Sequence, residues 1–340
     1  MRRLPILATA LLVSASGVRA DVPNIVVDIP PVFSLVSSVM QGVGTPKLLL
    51  RGNESPHNFA LRPSQRRDLG QADIIFWIGE GLTPWLEKAQ ASLTQTPISV
   101  ALGKQTGVVQ LSFREGAFFE AHDEHDEHDG HDEVNGHTEH NHAETHENAA
   151  AHDGKDHQDH AGHDHSGLDP HFWLDPENAI HWIYTIADIL SQTDPENAGT
   201  YYANATRTKA SLELLNKNIA QQMAPHRAER FLIVHDAFQY FEARFGLAAQ
   251  GAISDGHAAP PSAARILAIR KLMQNQKISC VFAEPGYNAK LLDNLISETS
   301  VRLKQLDPLG AGLPLDHTLY EAVLQNMADM MVACFTNDEG

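Results

Sequence analysis

Six short apolar runs, in two sets of three, limit this chain more than any other feature. The first set is NIVVDI (24–29), KLLL (47–50) and ADIIFWIG (72–79). The second is RFLIVH (230–235), ISCVFAE (278–284) and VRLKQLD (301–307). Runs this short and this continuously apolar, spaced by helix-length intervals, read as strands of parallel sheets covered on both faces. Between the sets lies TDPENAGTYYANATRTKASLELLNKNIAQQM, where Leu212, Leu215, Ile219 and Met223 recur at helical spacing. Asp194 and Pro195 form a natural start for that helix, and about 28 residues at 1.5 Å each would span roughly 40 Å. LDPENAIHW repeats the signal with Asp175 and Pro176. The expectation is an α/β chain with an N-terminal lobe at 21–193, a linker helix at 194–223 and a C-terminal lobe at 224–340.

Two segments fall outside that pattern. Residues 1–20 begin with Arg2 and Arg3, continue with an apolar stretch from Leu4 to Val13 and end V-R-A at Ala20. That order reads as an export signal, and its apolar stretch is shorter than the ~20 residues a membrane span needs. The second segment, an insertion at about 116–166, alternates histidine with carboxylates. Residues 120–166 hold 13 of the 20 histidines, and 121–166 hold 14 Asp or Glu against one Lys. So polar a stretch attracts metal ions but cannot bury apolar surface of its own, so it should hold no fixed geometry when empty. The formal net charge of −18 disfavours nucleic acid and anionic lipid as partners and suits divalent cations. The two cysteines, Cys280 and Cys334, form a disulfide in an exported chain more often than they hold zinc as thiolates. Cys334 lies on a helix face with Leu319, Val323, Met327 and Met330.

Seven histidines remain, and three of them stand where a strand or loop gives way to a helix. His57 lies in SPHNFALRPS, His171 in LDPHFWLDP and His235 in FLIVHDAFQYF. The carboxyl edge of a parallel sheet is where α/β proteins place ligands. Imidazole donors suit Zn²⁺, whereas Ca²⁺ and Mg²⁺ demand more oxygens and manganese sites are richer in carboxylate.

The motifs SPHNFALRPS, LDPHFWLDP, VHDAFQYF, FAEPGYN and LDPLG, in this order and with the acidic His-rich insertion before the second, closely resemble the metal-binding solute-binding proteins of high-affinity zinc ABC transporters. That resemblance implies two (β/α) lobes with parallel four-stranded sheets, a long rigid backbone helix and a metal in the interlobe cleft. It implies a periplasmic, monomeric carrier that hands Zn²⁺ to a permease in the inner membrane, driven by a cytoplasmic ATPase. His57, His171 and His235 match the three zinc-binding histidines of such proteins. Some relatives carry a glutamate before the first histidine, where this chain has Pro56. Asp307 matches a carboxylate ligand of manganese-binding and some zinc-binding relatives, and water or a chloride-like exogenous ligand is its competitor for the fourth place. Glu284 is expected to support the site or cap a helix, and Asp236, Phe172, Trp173, Phe238 and Tyr240 to shape its surroundings. His257 reads as a solvated turn, and His181, His226 and His317 as surface or capping residues. Rival readings are a zinc buffer working through the His-rich segment, a manganese-binding relative, and a zinc hydrolase. The last lacks any H-E-x-x-H or similar signature, so the chain is expected not to be an enzyme.

Overall fold

A computed structural model describes residues 22–51, 54–114, 118–119, 167–254, 260–297 and 299–337. Residues 1–20, expected to be an export signal, most of the His-rich insertion and His257 lie outside the described residues.

Each lobe is built on a four-stranded parallel sheet, and the two sheets share one strand order. The first pairs β2 (Lys47–Leu48), β1 (Ile25–Val27), β3 (Ile74–Trp77) and β4 (Ile98–Ala101) in that spatial order. The second pairs β6 (Ala252–Ser254), β5 (Phe231–His235), β7 (Cys280–Ala283) and β8 (Arg302–Gln305) in the equivalent order. The six apolar runs all become strands. The two strands not foreseen are β4, whose Ile98 and Ser99 are exposed, and β6, a three-residue piece too short to show a period.

Helices cover both faces. In the N-terminal lobe these are α1 (Pro30–Val39), α2 (Pro63–Gly70), α3 (Pro84–Gln90) and α4 (Pro176–Thr193), each with proline in its first turn. Proline fits there because the first N–H groups have no helical partner to lose. After α5 (Ala198–Met223), the C-terminal lobe carries α6 (Gln239–Phe245), α7 (Ala263–Asn275), α8 (Ala289–Ile296) and α9 (Leu319–Thr336).

Side chains alternate across each strand, so each sheet feeds two cores. Ile25, Val27, Ile74 and Phe76 point to one side and Phe231, Ile233, Cys280 and Phe282 do the same in the second sheet; all belong to one cluster with α1, α4, α5 and α9. The opposite faces form separate, smaller clusters beneath α2 and α3, with Val26, Ile75 and Trp77, and beneath α7 and α8, with Leu232, Val234 and Val281. The central core therefore runs through both lobes. Leu212, Leu215, Ile219 and Met223 of α5 lie in it, as their spacing requires.

The repeated DPENA behaves differently at its two sites. Asp175 caps α4 by accepting from the Glu177 N–H at 2.9 Å. Asp194 makes no cap; Pro195–Asn197 forms a 3₁₀ turn and α5 begins at Ala198. Its carboxylate instead accepts from the Tyr201 hydroxyl and the Asn197 amide, both at 2.7 Å, while its backbone N–H closes the end of α4. Asp194, at φ −132° and ψ 76°, is outside the extended conformation that Asp175, at φ −99° and ψ 112°, adopts as a cap.

Cys280 of β7 and Cys334 of α9 are joined by a disulfide. On α9 the buried face runs through Leu319, Val323, Met327, Met331 and Cys334; Met331 is fully buried, whereas Met330 is 37% exposed, so the stripe follows the four-residue step.

Candidate metal centre in the interlobe cleft

Three elements bring the isolated histidines together. His235 ends β5, whose five residues are all buried, and so stands at the carboxyl edge of the second sheet. His171 directly precedes a 3₁₀ turn at Phe172–Leu174 that leads into α4. His57 sits in the loop between β2 and α2. That loop is pinned on both sides of it: the Trp85 indole N–H donates to the Pro56 carbonyl at 2.7 Å, and the Trp85 ring packs on Phe59 at 5.1 Å. At the base of the loop, Glu54 accepts from the Arg51 N–H at 3.0 Å and from the Arg62 guanidinium.

The result is a compact group. Each of His57, His171 and His235 offers one ring nitrogen, and these three nitrogens lie within 4.8 Å of one another. The ring centroids stand 5.1 Å apart for His171 and His235, 5.5 Å for His57 and His171, and 5.6 Å for His57 and His235. His171 and His235 are buried, and His57 is half-buried at the mouth. They share a cleft of about 370 Å³ with Trp173, Glu284, Tyr287 and Asp307.

Two carboxylates orient the rings. The Nδ1 of His171 lies 2.7 Å from an Asp169 oxygen, which also accepts the His171 backbone N–H at 3.0 Å. The Nδ1 of His235 lies 2.9 Å from Glu284. With a carboxylate at each Nδ1, the N–H is held there and Nε2 of both rings is left as the donor toward an ion, the usual way a metal-binding histidine is fixed. Burial alone would raise the Glu284 carboxyl, but the charge of His235, its hydrogen bond and the charge of His171 outweigh it and hold the group below its ordinary range. Burial dominates at Asp169, pushing it up to about 7 against the hydrogen bond from the His171 backbone.

The other expected residues take varied places. Asp307 lines the same cleft but stands outside the nitrogen cluster. One oxygen accepts the N–H groups of Leu309 and Gly310 at 3.0 and 2.8 Å, and the other accepts that of Ala311 at 2.6 Å. Gly310, at φ +73°, makes this turn possible, and a side chain there would press on Val323. Glu284 supports His235, as expected. Asp236 faces away from the imidazoles, onto Arg114. Trp173 packs 5.3 Å from the His171 ring and donates its indole N–H to the Pro308 carbonyl across the lobes at 2.8 Å. Tyr240 donates to the Asp169 carbonyl at 3.0 Å, and Phe172 packs on the Tyr240 ring. His317 approaches Gln41 at 3.3 Å and His226 packs on Phe335, both away from the cleft. Asp169 and Arg114 were not anticipated. Asp169 stands two residues before a candidate ligand in LDPH, a readable signal; nothing in SFREG marks Arg114.

The family model described as "Zinc-uptake complex component A periplasmic" matches residues 25–334. The high-affinity zinc uptake system protein ZnuA of Brucella suis is 40% identical over 332 residues, covering 97% of each chain. That of Paracoccus denitrificans is 40% identical over 334 residues, covering 98% of each. Among solved structures, ZnuA superposes with a TM-score of 0.67 at 23% identity, covering 91% of this chain and 99% of that one. The solute-binding protein FpvC of Pseudomonas aeruginosa, in complex with Mn²⁺, gives 0.71 at 18% identity, covering 93% and 99%. These last two likenesses concern the fold.

Proposed function

The chain belongs to the periplasmic zinc-uptake component A family, and from that membership we propose that its three convergent histidines form the zinc-binding site. The protein captures Zn²⁺ for an ABC-type importer. The observation that carries the site assignment is the convergence of three imidazole nitrogens within 4.8 Å in the cleft between the lobes. Three neutral nitrogen donors match tetrahedral zinc, which takes nitrogen at about 2.0–2.1 Å, better than they match the oxygen-rich preference of manganese.

Asp307 is proposed for the fourth position. A carboxylate has about four lone-pair sites, and its three backbone contacts leave it one. Asp307 stands outside the group of three nitrogens and must approach them to bind, with water or another exogenous ligand as its competitor. Asp169 and Glu284 are each taken up in orienting an imidazole, and with the family's transport role the site is read as a carrier's and not a hydrolase's. No helix among the described residues is long and apolar enough to cross a membrane. Residues 1–20 are proposed as the signal that sends the chain to the periplasm, where it meets the permease as a monomer.

The test is a crystal of the zinc-loaded protein, measured across the zinc absorption edge. One strong anomalous peak among His57, His171 and His235 is expected. A peak elsewhere, with these rings empty, overturns the assignment.

A further inference from the structure

Behind the two buried imidazoles lies a charged joint that the metal site does not itself use. The side chain of Arg114 is 17% exposed and enters between Asp236 and Glu242, which are 4% and 3% exposed. Its Nε and Nη2 reach Asp236, with Nε at 3.0 Å. Its Nη1 and Nη2 reach the two oxygens of Glu242 at 2.8 and 3.0 Å. The Phe119 ring covers the guanidinium at 3.9 Å. A planar fork gripped on two sides and stacked on a third has little freedom left, and a lysine does not reproduce that geometry.

The joint links the backbones of two ligands. Arg114 belongs to the N-terminal lobe, at the end of a segment paired antiparallel with the one that leads to His171. Phe113 donates to the Gly167 carbonyl at 3.2 Å, Asp169 donates to the Leu111 carbonyl at 2.8 Å, and Ser112 bridges Leu168. The Leu111 N–H donates to the Tyr240 hydroxyl, which donates in turn to the carbonyl of Asp169, the residue that orients the His171 ring. On the other side, Asp236 directly follows His235, and Glu242 lies in α6 just beyond it. Arg114 thus clamps the frame of His171, from one lobe, to the frame of His235, from the other. Other bonds also cross between the lobes, among them Trp173 to Pro308, Arg244 to Asp175 and Tyr320 to Ser34, but these do not touch a neighbour of His235.

We propose that Arg114 is a positioning residue of the zinc site, holding His171 and His235 at the separation that a single ion bridges. A ligand set must be held to within about 0.5 Å to keep its geometry, so loosening this clamp costs affinity without removing any donor. The inference rests on the three-histidine reading of the site.

Zinc affinity by chelator competition and the visible spectrum of the Co²⁺-substituted protein test it on the full chain, with Arg114→Lys, Arg114→Met and Asp236→Asn beside His171→Ala. Arg114→Met is expected to weaken zinc at least ~10-fold and to shift and weaken the Co²⁺ bands, with Arg114→Lys intermediate. Should Arg114→Met fail to fold by circular dichroism, Arg114→Lys and Asp236→Asn decide, each expected to weaken zinc ~3-fold or more with altered bands. Folded variants whose melting temperature falls while affinity and Co²⁺ bands stay as in the parent overturn the proposal, since Arg114 then only stabilises the fold. His171→Ala separates the two failures. If it keeps the tight site, the histidine reading is wrong; if it loses that site while the Arg114 and Asp236 variants bind normally, only the clamp is wrong.

Discussion

A single imidazole contributes to this site only because something else holds it. His171 leans on Asp169, His235 on Glu284, and the His57 loop on Trp85. Replacing His57, His171 or His235 by alanine should weaken the tight zinc at least ~10-fold, about 1.4 kcal/mol, in isothermal titration. Asp307→Ala should cost less than any of them, because water can occupy the position it leaves; a cost equal to a histidine's would make Asp307 a full ligand from the start. Glu284→Ala removes only the orienting carboxylate of His235, and supporting groups of this kind are worth about 10–100-fold in affinity. Competition with a chelator should find a loss in that range, and none would mean that the His235 ring is held by its packing alone. A different carboxylate governs stability. Asp28 is fully buried at the end of β1, accepting the N–H groups of Ile29 and Ile78 at 2.8 and 2.9 Å. Burial, outweighing those bonds, pushes its carboxyl from 3.8 up to about 7. The native state therefore keeps a proton that the unfolded chain releases, and this favours folding at low pH and fades as pH rises from about 4 to 7. Across that window the stability of the parent relative to Asp28→Asn should fall with rising pH, by at most about 1.4 kcal/mol per pH unit. Urea unfolding of both proteins at several pH values checks it; parallel pH profiles would show that Asp28 is ionised in the fold.

Among the elements, the disulfide makes the clearest claim. Cys280 lies in the middle of the second sheet and Cys334 near the end of the last helix, 54 residues apart. Closing a loop of that length is worth about 4 kcal/mol in the chain-entropy model. Urea unfolding with and without reductant should show a loss of that order, while zinc affinity changes little because neither cysteine lines the cleft. The strands were legible where burial on both faces made them continuously apolar, as in FLIVH. The edge strand β4 was not legible, because its Ile98 and Ser99 meet solvent and break that pattern, although the edge strands β2 and β8 kept enough apolar residues to be read. The two DPENA segments make the same point for helices. One sequence caps α4 through Asp175, while its copy gives Asp194 to Tyr201, a partner that only the packing of α5 supplies.

At the scale of the whole molecule, one core passes through both lobes by way of α5, so the cleft is set between bodies that share buried surface. Residues 120–166 lie outside the described part and hold 13 of the 20 histidines. Ordering so polar a segment around one ion costs conformational entropy for every residue fixed, so its ions should bind more weakly than one in the preformed cleft. Deleting residues 120–166 is expected to leave one tight zinc per chain and to remove weaker additional ones, read by titration with metal analysis. Loss of the tight ion from a deletion protein that folds by circular dichroism would move the principal site into that segment. Fold class, the run of α5 and the three isolated histidines were determined by sequence alone, because burial period and residue chemistry are local properties. Which atoms meet was decided by the tertiary structure. His57 and His235 are separated by 178 positions yet their rings stand 5.6 Å apart, and Arg114 finds Asp236 and Glu242 only where the two lobes close on one another. Such pairings depend on how two sheets are placed about a shared core, and no local period in the chain encodes that placement.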